Sequence, residues 1–365
     1  MSDDHNNLTL KSRWVMWRNQ VLGSAGFQRW ASRTPIIRGI ARRRAAAQFD
    51  LVAGFVYSQI LSACVTSGLI GFLNGQLRSF HTIAGFLKLK PEAAERLLRA
   101  AESLQLVESP QAGLWTLGEA GAPLSANEGA MAMIRHHHLL YRDLADPLKL
   151  LADNRERQTA LSSYWTYASR EEGTGDTVGY SALMAATQPM VSQQIIDAYA
   201  FSRHRRMLDI GGGTGTFARS VSNVAPQLEL TVFDLPEVLA GMTGSGIARH
   251  PGDFKTTALP TGYDLITLVR ILHDHDNDVV QALLGKIYAA LPDDGRLLIV
   301  EPLAQSRHGE RMGDAYFGLY LWAMGSGRPR SQSTLTDMLK RAGFSAVDPV
   351  ATALPIITSA LVAKK

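Results

Sequence analysis

Cysteine is almost missing: Cys64 is the single one in 365 residues. One thiol excludes an internal disulfide framework and a multi-cysteine metal site, and it fits a reducing compartment such as the cytoplasm. Charged residues are also scarce, 19% of the chain against 46% hydrophobic. That balance excludes global disorder and supplies enough apolar material for a sizeable core. An apolar leader is absent too, since the first ten residues are polar, so no secretory signal is expected. Internal repeats and low-complexity tracts are lacking, and the length calls for two or three domains. One stretch, residues 49–73, is long and apolar enough to suggest a membrane span. Asp50, Gln59, Asn74 and several Ser and Thr weaken that reading, and a buried helix pair in a dimer interface accounts for the stretch better.

Acidic charge is nearly missing from residues 1–47, where nine Lys or Arg stand against Asp3 and Asp4, while the whole chain is only +4. Trp14, Trp17 and Trp30 are interleaved with these cations. A basic stretch with aromatic anchors suits an anionic membrane surface, although a solvated terminus has the same composition. Nucleic acid is not expected as a partner, because no reader motif accompanies the charge.

Along the chain the texture changes once. Residues 48–74 read as one or two apolar helices. Residues 80–120 give a short helix, a turn at Lys90–Pro91, a second helix over 92–104 and a hairpin turning at Gly113. This is a winged-helix outline. The second helix mixes Glu92, Glu95 and Glu102 with Arg96 and Arg99, so it reads as a structural wing rather than a DNA reader. Residues 125–200 look helical, with a glycine break at Gly173 and Gly175 and a joining helix over 181–200. From residue 205, short β-rich runs at 207–210, 228–233, 263–269, 297–300 and 356–362 alternate with helical patterns, the signature of a parallel α/β sheet. The expected organisation is a basic arm (1–47), a mainly α-helical, winged-helix-like dimerisation domain (48–180), a linker helix (181–200) and an α/β Rossmann-like domain with a mostly parallel seven-stranded sheet (201–365).

The strongest motif is Asp209-Ile210-Gly211-Gly212-Gly213-Thr214-Gly215, a strand running into a glycine turn with a helix behind it. Glycines allow positive φ and close approach of a ligand to backbone, and the ligand crevice of an open α/β sheet lies at the carboxyl ends of its strands. Counted from Gly213 and Gly215, Ala218 completes the looser dinucleotide pattern, so the loop alone does not choose a cofactor. Asp234 ends the second strand and can accept hydrogen bonds from ribose hydroxyls, which suits NAD or S-adenosylmethionine equally. Gly252-Asp253-Phe254 follows the third strand, where a turn reading of Asp253 also stands. Leu272-His273-Asp274 follows the fourth.

Taken in order, these segments resemble the motif series of the small-molecule O-methyltransferases, a family that includes plant phenolic, hydroxyindole and bacterial polyketide enzymes. The match in order and spacing spans about residues 205–301. The resemblance implies S-adenosylmethionine as methyl donor and a homodimer of interlocking helical domains. It assigns Gly211 and Gly213 to the methionine end of the donor, with Asp209 supporting the loop. It gives Asp234 to the ribose, and Asp253 and Phe254 to the adenine. His273 becomes the general base and Glu301, ending the fifth strand, the residue that orients it. A second orienting glutamate in the plant enzymes falls where this chain has Pro329, with Asp274 and Asp314 as candidate substitutes. His275 stands where those enzymes have tryptophan.

The cluster His273, Asp274, His275, Asp276 and Asp278 also carries metal-ligand chemistry. Neighbours in extended chain point to opposite sides, and the family's chemistry is metal-free, so no metal is expected. The run His136-His137-His138 falls in a predicted helix and cannot bind a metal jointly. A non-enzymatic reading, a winged-helix regulator sensing S-adenosylmethionine, would need no base at 273 and a basic recognition helix.

Residues 41–45 and 49–59, with the His273–Asp276 segment, resemble one branch in particular: the hydroxycarotenoid O-methyltransferases of purple photosynthetic bacteria, which act on hydroxyneurosporene- and demethylspheroidene-type carotenoids. The resemblance implies a tertiary 1-hydroxyl as acceptor, a lipophilic small-molecule substrate, and a cytoplasmic enzyme placed peripherally at the inner, photosynthetic membrane. A related branch acts on bacteriochlorophyllide. Residues 315–324 and the cluster Tyr164, Trp165 and Tyr167 are aromatic enough to line an apolar pocket, although such runs are more often plain core.

Overall fold

The computed structural model describes residues 8–164, 177–244, 246–306, 309–355 and 358–365, with the backbone alone for 177–181. Trp165, Tyr167, the glycine break at 173–175 and Ile356 lie outside the described residues. The chain divides into two compact units, 1–121 and 122–365.

The first unit opens with helices α1 (Leu10–Gly23), α2 (Ala25–Arg33) and α3 (Pro35–Thr66). Ser24 separates the first two and caps α2 through its hydroxyl, and Pro35 starts α3 at a position that has no N–H to lose. The expected arm is therefore helical, and the boundary at 47/48 falls inside one continuous helix. Nothing between Arg44 and Phe49 breaks it, because Ala45 to Ala47 are strong helix formers. By length and composition α3 is apolar enough to cross a membrane. Only Cys64 and Val65 at its far end are buried, whereas Phe49, Leu51, Val52 and Phe55 are exposed in the single chain. Next come α4 (Leu69–Leu73), β1 (Arg78–Ser79), α5 (Phe80–Leu87), α6 (Pro91–Ser103) and the hairpin β2 (Val107–Gln111) and β3 (Leu114–Leu117). The hairpin turns at Gly113, with φ +75, and β1 completes a small sheet in the order β1-β3-β2. Ile83, Leu98, Val107 and Trp115 close the core of this unit.

A short helix α7 (Gly121–Ser125) leads into the second unit, followed by α8 (Glu128–His136), α9 (His138–Asp143), α10 (Pro147–Ala152), α11 (Ala160–Tyr164) and α12 (Thr177–Ala198). The expected domain boundary at 180/181 is absent: α12 packs on both α8 and the first helix of the sheet domain, α13 (Thr216–Val224), instead of spanning a gap as a linker. The sheet strands are β4 (Arg206–Ile210), β5 (Glu229–Asp234), β6 (Ala248–Pro251), β7 (Leu265–Val269), β8 (Arg296–Glu301), β9 (Ala346–Val350) and β10 (Ser359–Lys364). They lie in the order β6-β5-β4-β7-β8-β10-β9, and β10 alone runs against its neighbours. β6 and β9 carry no apolar run, since Ala248–Pro251 and Ala346–Val350 are largely exposed edge strands. The central strand β7 is buried at every position, as a parallel sheet covered on both faces requires. Helices α14 (Pro236–Ala240), α15 (Asn277–Ala290), α16 (Gly318–Met324) and α17 (Gln332–Ala342) complete the unit. The strand order reverses direction at β4, so the crevice lies over the carboxyl ends of β4, β5 and β7.

Candidate active site

The glycine turn follows β4 directly. Gly211, Gly213 and Gly215 have φ of +69, +61 and +78, a region that costs an L side chain strain and glycine none. A Cβ at Gly213 would meet no atom within 4 Å, so the turn faces open space. Asp234 at the end of β5 accepts from the Gly213 N–H at 2.8 Å and from the Leu235 N–H at 2.7 Å. Loop support, expected of Asp209, thus falls to Asp234. Asp209 sits beneath the turn, 1% exposed, with Oδ1 accepting from Thr267 Oγ at 2.7 Å. Its Oδ2 is buried and has no hydrogen-bond partner among the described residues. Burial pushes its pKa up to about 7, with the Thr267 bond opposing. A buried carboxylate oxygen without a partner beside an open turn fits a cationic ligand group.

Two further sequence candidates follow β6. Asp253 spends Oδ1 on the Lys255 N–H at 2.9 Å, which closes a turn. Phe254 packs against the sheet core and meets the His275 ring edge-on at 5.2 Å between centroids.

The base candidate lies on the other side. Residues 272–274 form one tight helical turn after β7, and His273 is 7% exposed. Its Nδ1 lies 2.5 Å from Glu301 Oε2, and its Nε2 lies 3.2 Å from Asp274 Oδ1. Glu301, 2% exposed at the end of β8, also accepts the N–H groups of Ile271 (2.9 Å), Leu272 (2.7 Å) and His273 (3.3 Å). Burial disfavours the His273 cation, yet Asp274 and Glu301 together outweigh it and raise the pKa above the ordinary histidine value. Asp274 is pushed up to about 6, chiefly by burial against the pull of His273. Burial takes the neighbouring His275 down to about 4. Of the two residues expected to stand in for a second glutamate, Asp274 touches the imidazole, whereas Asp314 accepts from the Gln305 N–H at 2.9 Å in a separate turn.

An aromatic cluster adjoins the imidazole. The Phe317 ring meets it edge-on at 5.7 Å, and Tyr316 and Tyr320 in turn meet Phe317 edge-on. The helix bearing them opens with a widened π-helical segment, Arg311–Phe317, a distortion common at functional sites. His136 and His137, at the junction of α8 and α9, bond to the hydroxyls of Tyr320 (3.0 Å) and Tyr316 (2.8 Å), while His138 turns back to the Arg135 carbonyl. The histidine run is thus a set of three separate hydrogen bonds.

Sequence reasoning overlooked two arginines. Arg270 takes φ +61 at the end of β7, a strained position for a non-glycine residue, and reaches Thr187 Oγ at 2.7 Å and Met184 Sδ at 3.0 Å. Arg330 is buried and bonds the His273 loop from behind. Neither belongs to a motif, and the signal lay only in cations adjoining the motif positions.

A doubly wound sheet with a glycine turn, a carboxylate ending the second strand and a carboxylate-held imidazole after the fourth is the arrangement of a nucleotide- or nucleoside-cofactor-binding α/β fold. An O-methyltransferase domain model matches residues 141–345. The chain is 40% identical to demethylspheroidene O-methyltransferase of Rhodobacter capsulatus over 91% of its length and 85% of that protein. It is 36% identical to the protein of the same name from Cereibacter sphaeroides, over 94% and 93%. Its fold matches human N-acetylserotonin methyltransferase in complex with S-adenosylmethionine, with a TM-score of 0.73 at 23% identity, over 88% of this chain and 97% of that one. The chain belongs to the O-methyltransferase family, as an S-adenosylmethionine-dependent enzyme.

Proposed function

We propose that this enzyme methylates the tertiary 1-hydroxyl of an acyclic hydroxycarotenoid, with His273 as general base. The single observation that carries the catalytic part is the buried imidazole held by Glu301 at the carboxyl end of β7, one strand from the glycine turn. The acceptor rests on the similarity to demethylspheroidene O-methyltransferases across nearly the whole chain. The aromatic cluster of Tyr316, Phe317 and Tyr320 suits an apolar polyene better than a small charged acceptor.

S-adenosylmethionine supplies an activated methyl on a sulfonium. Gly211 and Gly213 would present backbone to its methionine end, the Asp209 Oδ2 would suit the ammonium, and the Arg270 guanidinium would suit the carboxylate. Asp234 would take the ribose, and Asp253 and Phe254 would flank the adenine. With its Nδ1–H donated to Glu301, His273 would use Nε2, beside Asp274, to take the proton of the acceptor hydroxyl as the new C–O bond forms and the methyl carbon's bond to sulfur breaks, the donor leaving as a neutral thioether; Glu301 would then stabilise the imidazolium. A tertiary alcohol is far less acidic than imidazolium, whose pKa is about 6.5, so the alkoxide is never fully formed. Alignment therefore carries most of the burden, worth up to about 7–11 kcal/mol.

The assembly belongs to the same reading. A homodimer joined through the winged-helix-like unit would cover Phe49, Leu51, Val52 and Phe55 of α3, all exposed in the single chain. The basic helices α1 and α2, with Trp14, Trp17 and Trp30 exposed, suit peripheral attachment to the cytoplasmic side of a photosynthetic membrane, where such an acceptor dissolves. The deciding experiment feeds the purified protein labelled S-adenosylmethionine with an extract of bacterial pigments. A labelled carotenoid methyl ether is expected; label in a bacteriochlorophyllide or a phenol instead would overturn the acceptor.

A further inference from the structure

The loop that carries the base is held carbonyl by carbonyl. Every backbone carbonyl of residues 272–275 is bonded by a donor from residues 326–330. Leu272 O accepts Arg330 Nη1–H at 2.6 Å, His273 O accepts the Arg328 N–H at 2.8 Å, Asp274 O accepts Ser326 Oγ–H at 2.9 Å, and His275 O accepts Arg330 Nη2–H at 2.7 Å. Arg330 Nε–H adds a bond to Asn277 Oδ1 at 2.9 Å, which ties in the start of α15. Gly327, with φ +77, lets this segment pass so close that a Cβ there would overlap the His273 carbonyl oxygen. The opposite side of the loop, its N–H groups at 271–273, is held among the described residues by the Glu301 carboxylate alone.

One carboxylate therefore gathers the donors of this loop and one guanidinium gathers its acceptors. Arg330 is 4% exposed. Burial lowers its pKa to about 10, with the Glu301 charge opposing, so it remains a cation at neutral pH. A planar fork can serve two carbonyls at fixed spacing, which an ammonium cannot.

We propose that Arg330 is a positioning residue for His273: it holds the carbonyl side of the loop while Glu301 holds the N–H side, and so keeps Nδ1 on Glu301 and Nε2 beside Asp274. It fills, from the backbone side, the role of the second glutamate that the resemblance placed at Pro329, whose ring has no group to orient an imidazole. The inference rests on His273 being the base.

The test uses full-length Arg330→Lys, which keeps the charge and loses the fork, and Arg330→Met, which loses both. The readouts are kcat, S-adenosylmethionine affinity, melting temperature, and the imidazole 15N shifts of His273 recorded without turnover. Loss of alignment by Arg330→Lys should lower kcat by about 10²-fold, the scale of a 1 Å misplacement. Donor affinity should stay unchanged, and the His273 nitrogens should shift toward a mixture of tautomers. Arg330→Met should lower kcat further and move the acid limb of its pH profile. A folded Arg330→Lys variant with native kcat and native imidazole shifts would overturn the proposal, as would losses of kcat, donor affinity and melting temperature in step. Should Arg330→Met not fold, Arg330→Lys decides alone. Full activity in His273→Ala would sink the base reading itself, whereas the 15N spectrum reports on the clamp independently of turnover.

Discussion

The two sides of the crevice are built on opposite plans. At the glycine turn three residues take positive φ, the space above Gly213 is open, and one buried carboxylate oxygen of Asp209 has no partner. At the loop after β7 every carbonyl of 272–275 and every N–H of 271–273 is bonded, and both imidazole nitrogens face a carboxylate. The first side offers open space and an unpaired oxygen, and the second has its polar groups already satisfied. The difference follows from the work of each: a donor must be able to enter and leave, whereas a base must already be aligned, since reorganising it during the reaction would add to the barrier.

Removing the base breaks this contrast most severely. His273→Ala should lower kcat by about 10²–10⁴-fold, the range of general base catalysis, while the donor affinity, set on the other side, stays near native. Equal losses in both would mean that the imidazole is structural. The pH dependence sharpens the point. Asp274 and Glu301 raise the His273 pKa, so the resting imidazole keeps its proton to a higher pH than an ordinary histidine. Only the neutral form accepts a proton, so the rate should climb with pH to a plateau above the ordinary histidine range. An acid limb below about 6.5 would contradict the two-carboxylate setting.

On the donor side the expected effect is smaller and carries a different pH signature. Asp209 is pushed up to about 7 by burial, so near neutrality part of the population is protonated. A cationic ligand prefers the ionised form. S-adenosylmethionine should therefore bind more tightly as pH rises through 7, with proton release on binding at the acid end. Asp209→Asn should weaken binding by about 10-fold, the equivalent of one hydrogen bond to a charged group, and flatten the pH dependence. Calorimetric titrations in two buffers of different ionisation enthalpy would check this, and a pH-independent Kd in the native enzyme would remove Asp209 from the site.

The glycine-turn side was the more legible in the sequence. Positive φ favours glycine, so the turn after β4 announces itself in Gly211, Gly213 and Gly215, and Asp234 and His273 stand at strand ends marked by apolar runs. Edge strands β6 and β9 were not marked, because half-exposed segments such as Ala248–Pro251 carry no alternation strong enough to read. The division of the chain was misplaced for a related reason. Nothing in residues 122–164 says that α8 packs on α12, or α11 on α16, since such contacts depend on three-dimensional closure. That Asp234, rather than Asp209, accepts the Gly213 N–H hinges on which carboxylate oxygen reaches which N–H. Arg330 was hidden most deeply. Its partners are backbone carbonyls, and a carbonyl has the same identity at every position in a sequence.

The smallest expected effect concerns the first unit, where exposure rather than burial is the telling feature. Trp14, Trp17 and Trp30 are 56%, 60% and 56% exposed, so replacing them with alanine removes little packing. In water the change should be nearly silent in melting temperature, within the roughly 0.5 kcal/mol typical of surface substitutions. At an anionic bilayer it should matter, because the rings supply the apolar contact while Arg13, Arg18, Arg29 and Arg33 supply the charge. Co-sedimentation with phosphatidylglycerol vesicles should fall in the triple Trp→Ala variant and, for the native protein, with added salt, while methyl transfer to a detergent-dispersed acceptor stays unchanged. If native and triple-variant proteins sediment alike, the exposed rings serve some purpose other than lipid contact. The comparison between units would then become one between an active crevice and a surface that pairs with protein.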